Sequence, residues 1–162
     1  DVNFIPLVAG KRYTVAPMGN PLATFQSPKI QLLEDDISVQ ASQVRLRFLN
    51  AVEGATSYEL GSGSGGTYAR IFGSAAYGSL GDASGNPYST QATVTGGTFS
   101  LRIAGAGTDT LTLMNKVTLT AGAVYTATAM GATGSGTSPI SISLCNDSAM
   151  PTNGLLPCSE LR

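Results

Sequence analysis

One stretch of this chain occurs twice, and that repetition limits the folds available to it. Residues 117–131 read V-T-L-T-A-G-A-V-Y-T-A-T-A-M-G and are followed, after a Gly/Ser/Thr loop, by S-P-I-S-I-S-L-C-N-D. Residues 5–19 read I-P-L-V-A-G-K-R-Y-T-V-A-P-M-G and are followed by S-P-K-I-Q-L-L-E-D-D. Leu119, Gly122, Tyr125, Thr126, Met130 and Gly131 answer to Leu7, Gly10, Tyr13, Thr14, Met18 and Gly19. Beyond the loop, a one-residue slip aligns Ser138, Pro139, Leu144 and Asp147 with Ser27, Pro28, Leu33 and Asp36. An internal repeat means a repeated supersecondary unit, and each unit must bury its apolar face against something. The second copy is preceded by a long run of strand-like sequence and the first by almost none. The chain reads as the back half of one domain followed by a whole one.

The segments are strand-like throughout. Val44-Arg45-Leu46-Arg47-Phe48 alternates, which places Val44, Leu46 and Phe48 in a core and sends both arginines to a solvent face. Phe99, Leu101 and Ile103 share a face, as do Ile140, Ile142 and Leu144. Gly96-Gly97, between residues 91–94 and 98–103, reads as a two-residue hairpin turn, because both glycines accept positive φ. Residues 50–56 read as a turn, 61–66 as a flexible glycine loop, and 73–90 as irregular. Short strands separated by Gly-rich turns predict an all-β, antiparallel, immunoglobulin-like sandwich with an additional N-terminal β-hairpin. The expected organisation is a half-domain at 1–36, a linker at 37–43, a complete sandwich at 44–147 and a tail at 148–162.

Composition narrows the function classes. Of 162 residues 12% are charged and 42% apolar, and the net charge is −1. That balance suits a packed core and gives no basic run for nucleic acid. No apolar run is long enough to span a bilayer as a helix. The chain contains no His, which removes the commonest general base and metal ligand. Cys145 and Cys158 close a short loop and read as a disulfide pinning the tail, which implies an oxidising compartment. Asp1 suits the start of a processed, mature chain.

Three stretches resemble the bacterial family known as domain of unknown function 4397. They are V44-R-L-R-F-L-N-A-V-E-G-A-T-S-Y-E-L60, F99-S-L-R-I-A-G-A-G-T108 and L119-T-A-G-A-V-Y-T126, the last repeated as L7-V-A-G-K-R-Y-T14. The resemblance covers most of residues 44–145. It implies secreted or cell-surface tandem β-sandwiches of bacteria and carries no catalytic residues. The incomplete first copy departs from the family's pattern.

Chemistry-bearing constellations are few. Glu34, Asp35 and Asp36 form the acidic cluster, a weak candidate for Ca²⁺ against the plainer reading of a solvated strand end. Tyr68, Tyr77 and Tyr88 are candidates for stacking on a glycan or protein partner, or else core tyrosines at strand ends. No serine stands in a nucleophile elbow, and no cofactor is implied. The half-domain is the stronger lead. Phe4, Ile5, Leu7, Tyr13, Val15, Ile30 and Leu32 would form a strand-donor interface, since a bare two-stranded unit is marginal in water and an open edge invites pairing. Three readings are open for it: it joins the sheet of its own sandwich, it completes a domain in a neighbouring molecule, or its front half was lost to proteolysis. The expectation is therefore a non-enzymatic extracellular structural protein, self-associating by strand complementation into a filament or surface layer. The alternatives are a monomeric ligand-binding module and, more weakly, an enzyme.

Overall fold

A computed structural model describes residues 7–19, 28–38, 41–54, 57–85, 87–91, 93–133, 138–149 and 157–162. The fold is all-β, with two sheets, antiparallel apart from one parallel strand pair, packed as a sandwich. Its strands are β1 (Tyr13–Met18), β2 (Lys29–Glu34), β3 (Val44–Glu53), β4 (Ser57–Ser62), β5 (Ala69–Ala76), β6 (Ser79–Leu80), β7 (Ser89–Gln91), β8 (Val94–Ile103), β9 (Asp109–Leu119), β10 (Val124–Ala132), β11 (Ser141–Asn146) and β12 (Cys158–Leu161). One sheet has the order β12-β11-β10-β3-β6, with β7 also on β3; the other has the order β5-β4-β8-β9. The hairpin β1-β2 is a separate two-stranded sheet. No helix among the described residues is long and apolar enough to cross a membrane.

β3 is the spine of the first sheet. Val44, Leu46, Phe48 and Val52 alternate inward and pack with Tyr58, Leu60, Phe72, Leu101, Leu113, Leu119 and Ile142 in one core. β3 pairs parallel with β10, from Val124↔Arg45 to Ala132↔Glu53. Parallel neighbours need a long crossover, and the segment from β4 to β9 supplies it, with β4, β5, β8 and β9 in the second sheet and β6 and β7 returning to the first. The strand runs further than its sequence suggests, because Asn50 is satisfied inside the core. Its Nδ2 donates to Ala75 O at 2.9 Å, and its Oδ1 accepts from Val52 N–H at 3.0 Å.

Two glycine-rich stretches differ from expectation. Gly96-Gly97 is no turn: β8 runs through it, with register shifts against β9 on either side. Gly96 has φ +66°, and a Cβ on Gly97 would come within 2.3 Å of Val94 Cγ1. The glycines form a bulge, which bends a strand where a turn would end it. The 61–66 stretch is anchored. Gly65 N–H donates to Asp109 Oδ2 and Gly65 O accepts from Arg102, both at 2.8 Å, and Arg102 is ion-paired to Asp109 at 2.6 Å.

The disulfide between Cys145 and Cys158 is present. It joins directly opposed residues of β11 and β12, so the tail is the edge strand of the first sheet.

Candidate functional site: the N-terminal hairpin

The two copies of the repeat fold alike, and their structural alignment needs no slip. A constant offset carries Tyr13↔Glu34 onto Tyr125↔Asn146 and Met18↔Lys29 onto Met130↔Ser141. The counterpart of Asp147 is therefore Asp35 rather than Asp36. Consecutive acidic residues align equally well as letters, and only the strand register separates them.

Each copy opens with a glycine turn, Gly10 at φ +79° and Gly122 at φ +76°, a conformation that costs any residue with a Cβ. The N–H of Val8 donates to Tyr13 Oη at 3.1 Å, and that of Thr120 to Tyr125 Oη at 3.2 Å. The N–H of Asp35 donates to Arg12 O and that of Asp147 to Val124 O, each at 2.8 Å. Thr14 Oγ1 donates to Asp35 Oδ2 at 2.9 Å, and Thr126 Oγ1 to Asp147 Oδ2 at 2.5 Å.

The hairpin β1-β2 lies on the outer face of the first sheet of its own chain. Met18 and Leu33 are buried with Leu49 and Tyr77, and Ala16, Ala51 and Leu80 pack around them. The parity of β3 explains the seat: residues facing away from the core present Leu49 and Ala51 to the hairpin.

The same parity brings Arg47 beneath it. This guanidinium is 1% exposed, which corrects the expected solvent face. Its Nε donates to Thr126 Oγ1 at 2.6 Å, and its NH2 group pairs with Asp35 and lies 3.4 Å from Asp147 Oδ2. One buried cation thus sits between the matching carboxylates of the two copies. A single positive charge cannot neutralise two carboxylates. Burial, with the negative charge of Asp35 adding to it, pushes Asp147 up to about 6, against the opposing pull of Thr126 and Arg47. Its Oδ1 has no hydrogen-bond partner among the described residues. Arg12 adds a further tie, donating to Ala149 O at 3.2 Å.

The other face of the hairpin is open. Equivalent residues of the two copies differ sharply in exposure: Leu7 is 69% exposed and Leu119 0%, Val15 60% and Ala127 2%, Ile30 68% and Ile142 2%. Leu32 and Tyr13 are partly buried on the same face. Phe4 and Ile5 lie outside the described residues. The face that is core in the second copy is surface in the first. A groove of about 470 Å³ opens beside β1, lined by Ala16, Pro17, Met18 and Gly19, with Thr128 and Met130 of β10 and Ala51 and Glu53 of β3 among its other walls.

The remaining candidates are dispersed. Tyr77 and Tyr88 are buried and Tyr68 half-buried. Each ring is capped by a cation of the same chain: Lys29 5.2 Å from the Tyr77 centroid, Arg45 4.3 Å from Tyr88, and Arg102 3.7 Å from Tyr68. Such contacts help hold the cations, and they occupy ring faces that a sugar would need. The acidic trio also diverges. Glu34 pairs with Lys11 at 2.6 Å, Asp35 with Arg47, and Asp36 with Arg45 at 2.7 Å. Hydrogen bonds from Ser38, and then the Arg45 guanidinium, hold the Asp36 carboxyl down at about 2. Among the described residues no three His, Cys, Asp or Glu side chains are grouped to hold a metal.

Sequence reasoning missed Arg47. The available signal was the pair of Thr/Asp motifs in the repeat, each able to bind a guanidinium. Comparison of the chain with protein-family models, with curated proteins and with solved structures found no match.

Proposed function

We propose that this chain is a non-enzymatic structural protein of the bacterial cell surface or medium, whose units join by β complementation at the N-terminal hairpin. The product is a filament or surface layer. The observation that carries this reading is the exposure of Leu7, Val15 and Ile30 where their equivalents Leu119, Ala127 and Ile142 are core. Val15 and Ile30 are diagonal neighbours across β1 and β2, and clustered exposed apolar side chains mark an interaction surface. Single exposed apolar residues elsewhere, such as Met114 on β9, are ordinary. The disulfide supports an oxidising compartment, and the resemblance to domain of unknown function 4397 supports a secreted repeat protein.

The test is multi-angle light scattering over a concentration series up to the millimolar range. The intact chain is expected to associate with rising concentration. Val15→Lys combined with Ile30→Lys is expected to stay monomeric with the unfolding transition of the sandwich unchanged. An intact chain that is monomeric throughout, or a double variant that associates equally, contradicts assembly through this face.

A further inference from the structure

We infer that the free edge of β1 is a strand-addition site that takes an extended segment of the β3 type, parallel to β1, from another polypeptide. This rests on the open hairpin of the assembly reading, and names for its edge a partner other than a folded copy of the chain.

The repeat supplies the template. In the second copy, the edge of β10 that faces away from β11 carries β3, with Arg45 N–H donating to Ala123 O at 3.0 Å. The first copy reproduces β10-β11 in turn, register and Thr–Asp closure. Among the described residues no strand lies on its corresponding edge. The bond from Asp35 N–H to Arg12 O sets the parity of β1. In an antiparallel pair the bonded positions alternate, so the backbone groups of Tyr13 and Val15 point away from β2. Those of Tyr125 and Ala127 point at β3 in the same way. An unpaired strand edge is a template for another strand, and the groove beside Ala16 to Gly19 opens along this one.

Register follows from the offset. Tyr125 and Ala127 lie opposite Leu46 and Phe48, so Tyr13 and Val15 receive apolar residues from the incoming strand. Those side chains extend the open face formed by Val15, Ile30 and Leu32. Pro17 sets the limit, since it has no N–H where Ala129 has one. A folded second copy does not offer the required strand, because its β3 is paired by β10 on one edge and by β6 and β7 on the other. The partner is a polypeptide whose β3-type strand, alternating like Val44, Leu46 and Phe48, is unpaired.

The experiment titrates the full chain with a labelled synthetic peptide of residues 44–53, VRLRFLNAVE, and reads fluorescence anisotropy. One-to-one binding is expected. N-methylation at the peptide positions of Arg45, Arg47 and Leu49, whose N–H groups face β10 in the fold, is expected to weaken binding at least tenfold. N-methylation at the positions of Leu46 and Phe48 is expected to leave it within twofold. Val15→Pro in the protein removes an outward donor and is expected to weaken binding at least tenfold. No binding, equal loss from both methylated peptides, or equal binding of a scrambled peptide overturns the proposal, whether or not Val15→Pro folds. If the peptide fails to bind while the intact chain associates through Val15 and Ile30, strand addition falls and assembly by face-to-face contact stands. If the peptide binds while the chain alone stays monomeric, the strand site stands and homotypic assembly falls.

Discussion

The hairpins β1-β2 and β10-β11 share a turn, a register, a tyrosine clasp and a Thr–Asp closure, yet their surroundings differ in almost every respect. The second hairpin has β3 on its edge and the sheet β5-β4-β8-β9 over its apolar face. The first has its opposite face seated on Leu49 and Tyr77, and its own core-type face exposed at Leu7, Val15 and Ile30. Local sequence therefore specifies the hairpin, and the neighbours decide which of its two faces becomes interior. The comparison also explains Arg47. Each hairpin ends in an aspartate suited to a guanidinium from an adjacent strand, and a single arginine serves both.

The largest effect is expected at that shared cation. Arg47→Ala leaves Asp35 and Asp147 buried without a counter-charge, and breaking a buried pair in this way costs about 3–5 kcal/mol. Urea unfolding measures it, and a loss below about 1 kcal/mol would mean that the carboxylates do not depend on Arg47.

The next effect contrasts equivalent residues. Ile142→Ala opens a cavity in the core and is expected to cost about 2–5 kcal/mol. Ile30→Ala, at the same position of the other copy, is expected to change the stability of the dilute chain by less than about 0.5 kcal/mol. Equal losses from the two variants would show the first hairpin already covered.

A smaller, pH-dependent effect belongs to Asp147. Its carboxyl rises from 3.8 to about 6 on folding. A carboxyl raised in the folded state contributes stability that is fully present below pH 3.8 and lost as pH rises through about 6, because the unfolded chain ionises first. The stability of the intact chain minus that of Asp147→Asn is expected to fall across that window and stay level on either side. The charged groups facing it are Arg47 and Arg12, which pull the carboxyl down, and Asp35, which pushes it up. A flat difference, or one that rises with pH, contradicts the assignment.

Much of this architecture was legible in the letters, for reasons tied to particular residues. The alternation of Val44, Leu46 and Phe48 marks β3, the run from Thr110 to Leu119 marks β9, and the spacing of Cys145 and Cys158 marks the disulfide. What escaped depends on partners distant in sequence. Arg45 and Arg47 look like solvated residues of a half-exposed strand until a hairpin more than a dozen residues upstream is laid over them. Asn50 reads as a turn former because its two bonds, to Ala75 and Val52, exist only inside the sandwich. Gly96-Gly97 satisfies the rule for a turn and that for a bulge alike, and the length of β9 opposite selects the bulge. The open face of the hairpin was visible as a mismatch in the repeat. Its docking on the outer sheet was not, since Ala16, Met18 and Leu33 form no conspicuous apolar run.

Among the described residues, β1 carries an open edge and face that its equivalent β10 has filled. Amide hydrogen exchange reads this edge, followed at Tyr13 and Val15 and at Tyr125 and Ala127 with and without the peptide of residues 44–53. In the dilute chain alone the Tyr13 and Val15 amides are expected to exchange rapidly and those of Tyr125 and Ala127 to be strongly protected. With the peptide in excess, the Tyr13 and Val15 amides are expected to gain protection while the other pair is unchanged. Strong protection of Tyr13 and Val15 in the dilute chain alone, or rapid exchange there with the peptide in excess, would show that this edge is not an open strand-addition site.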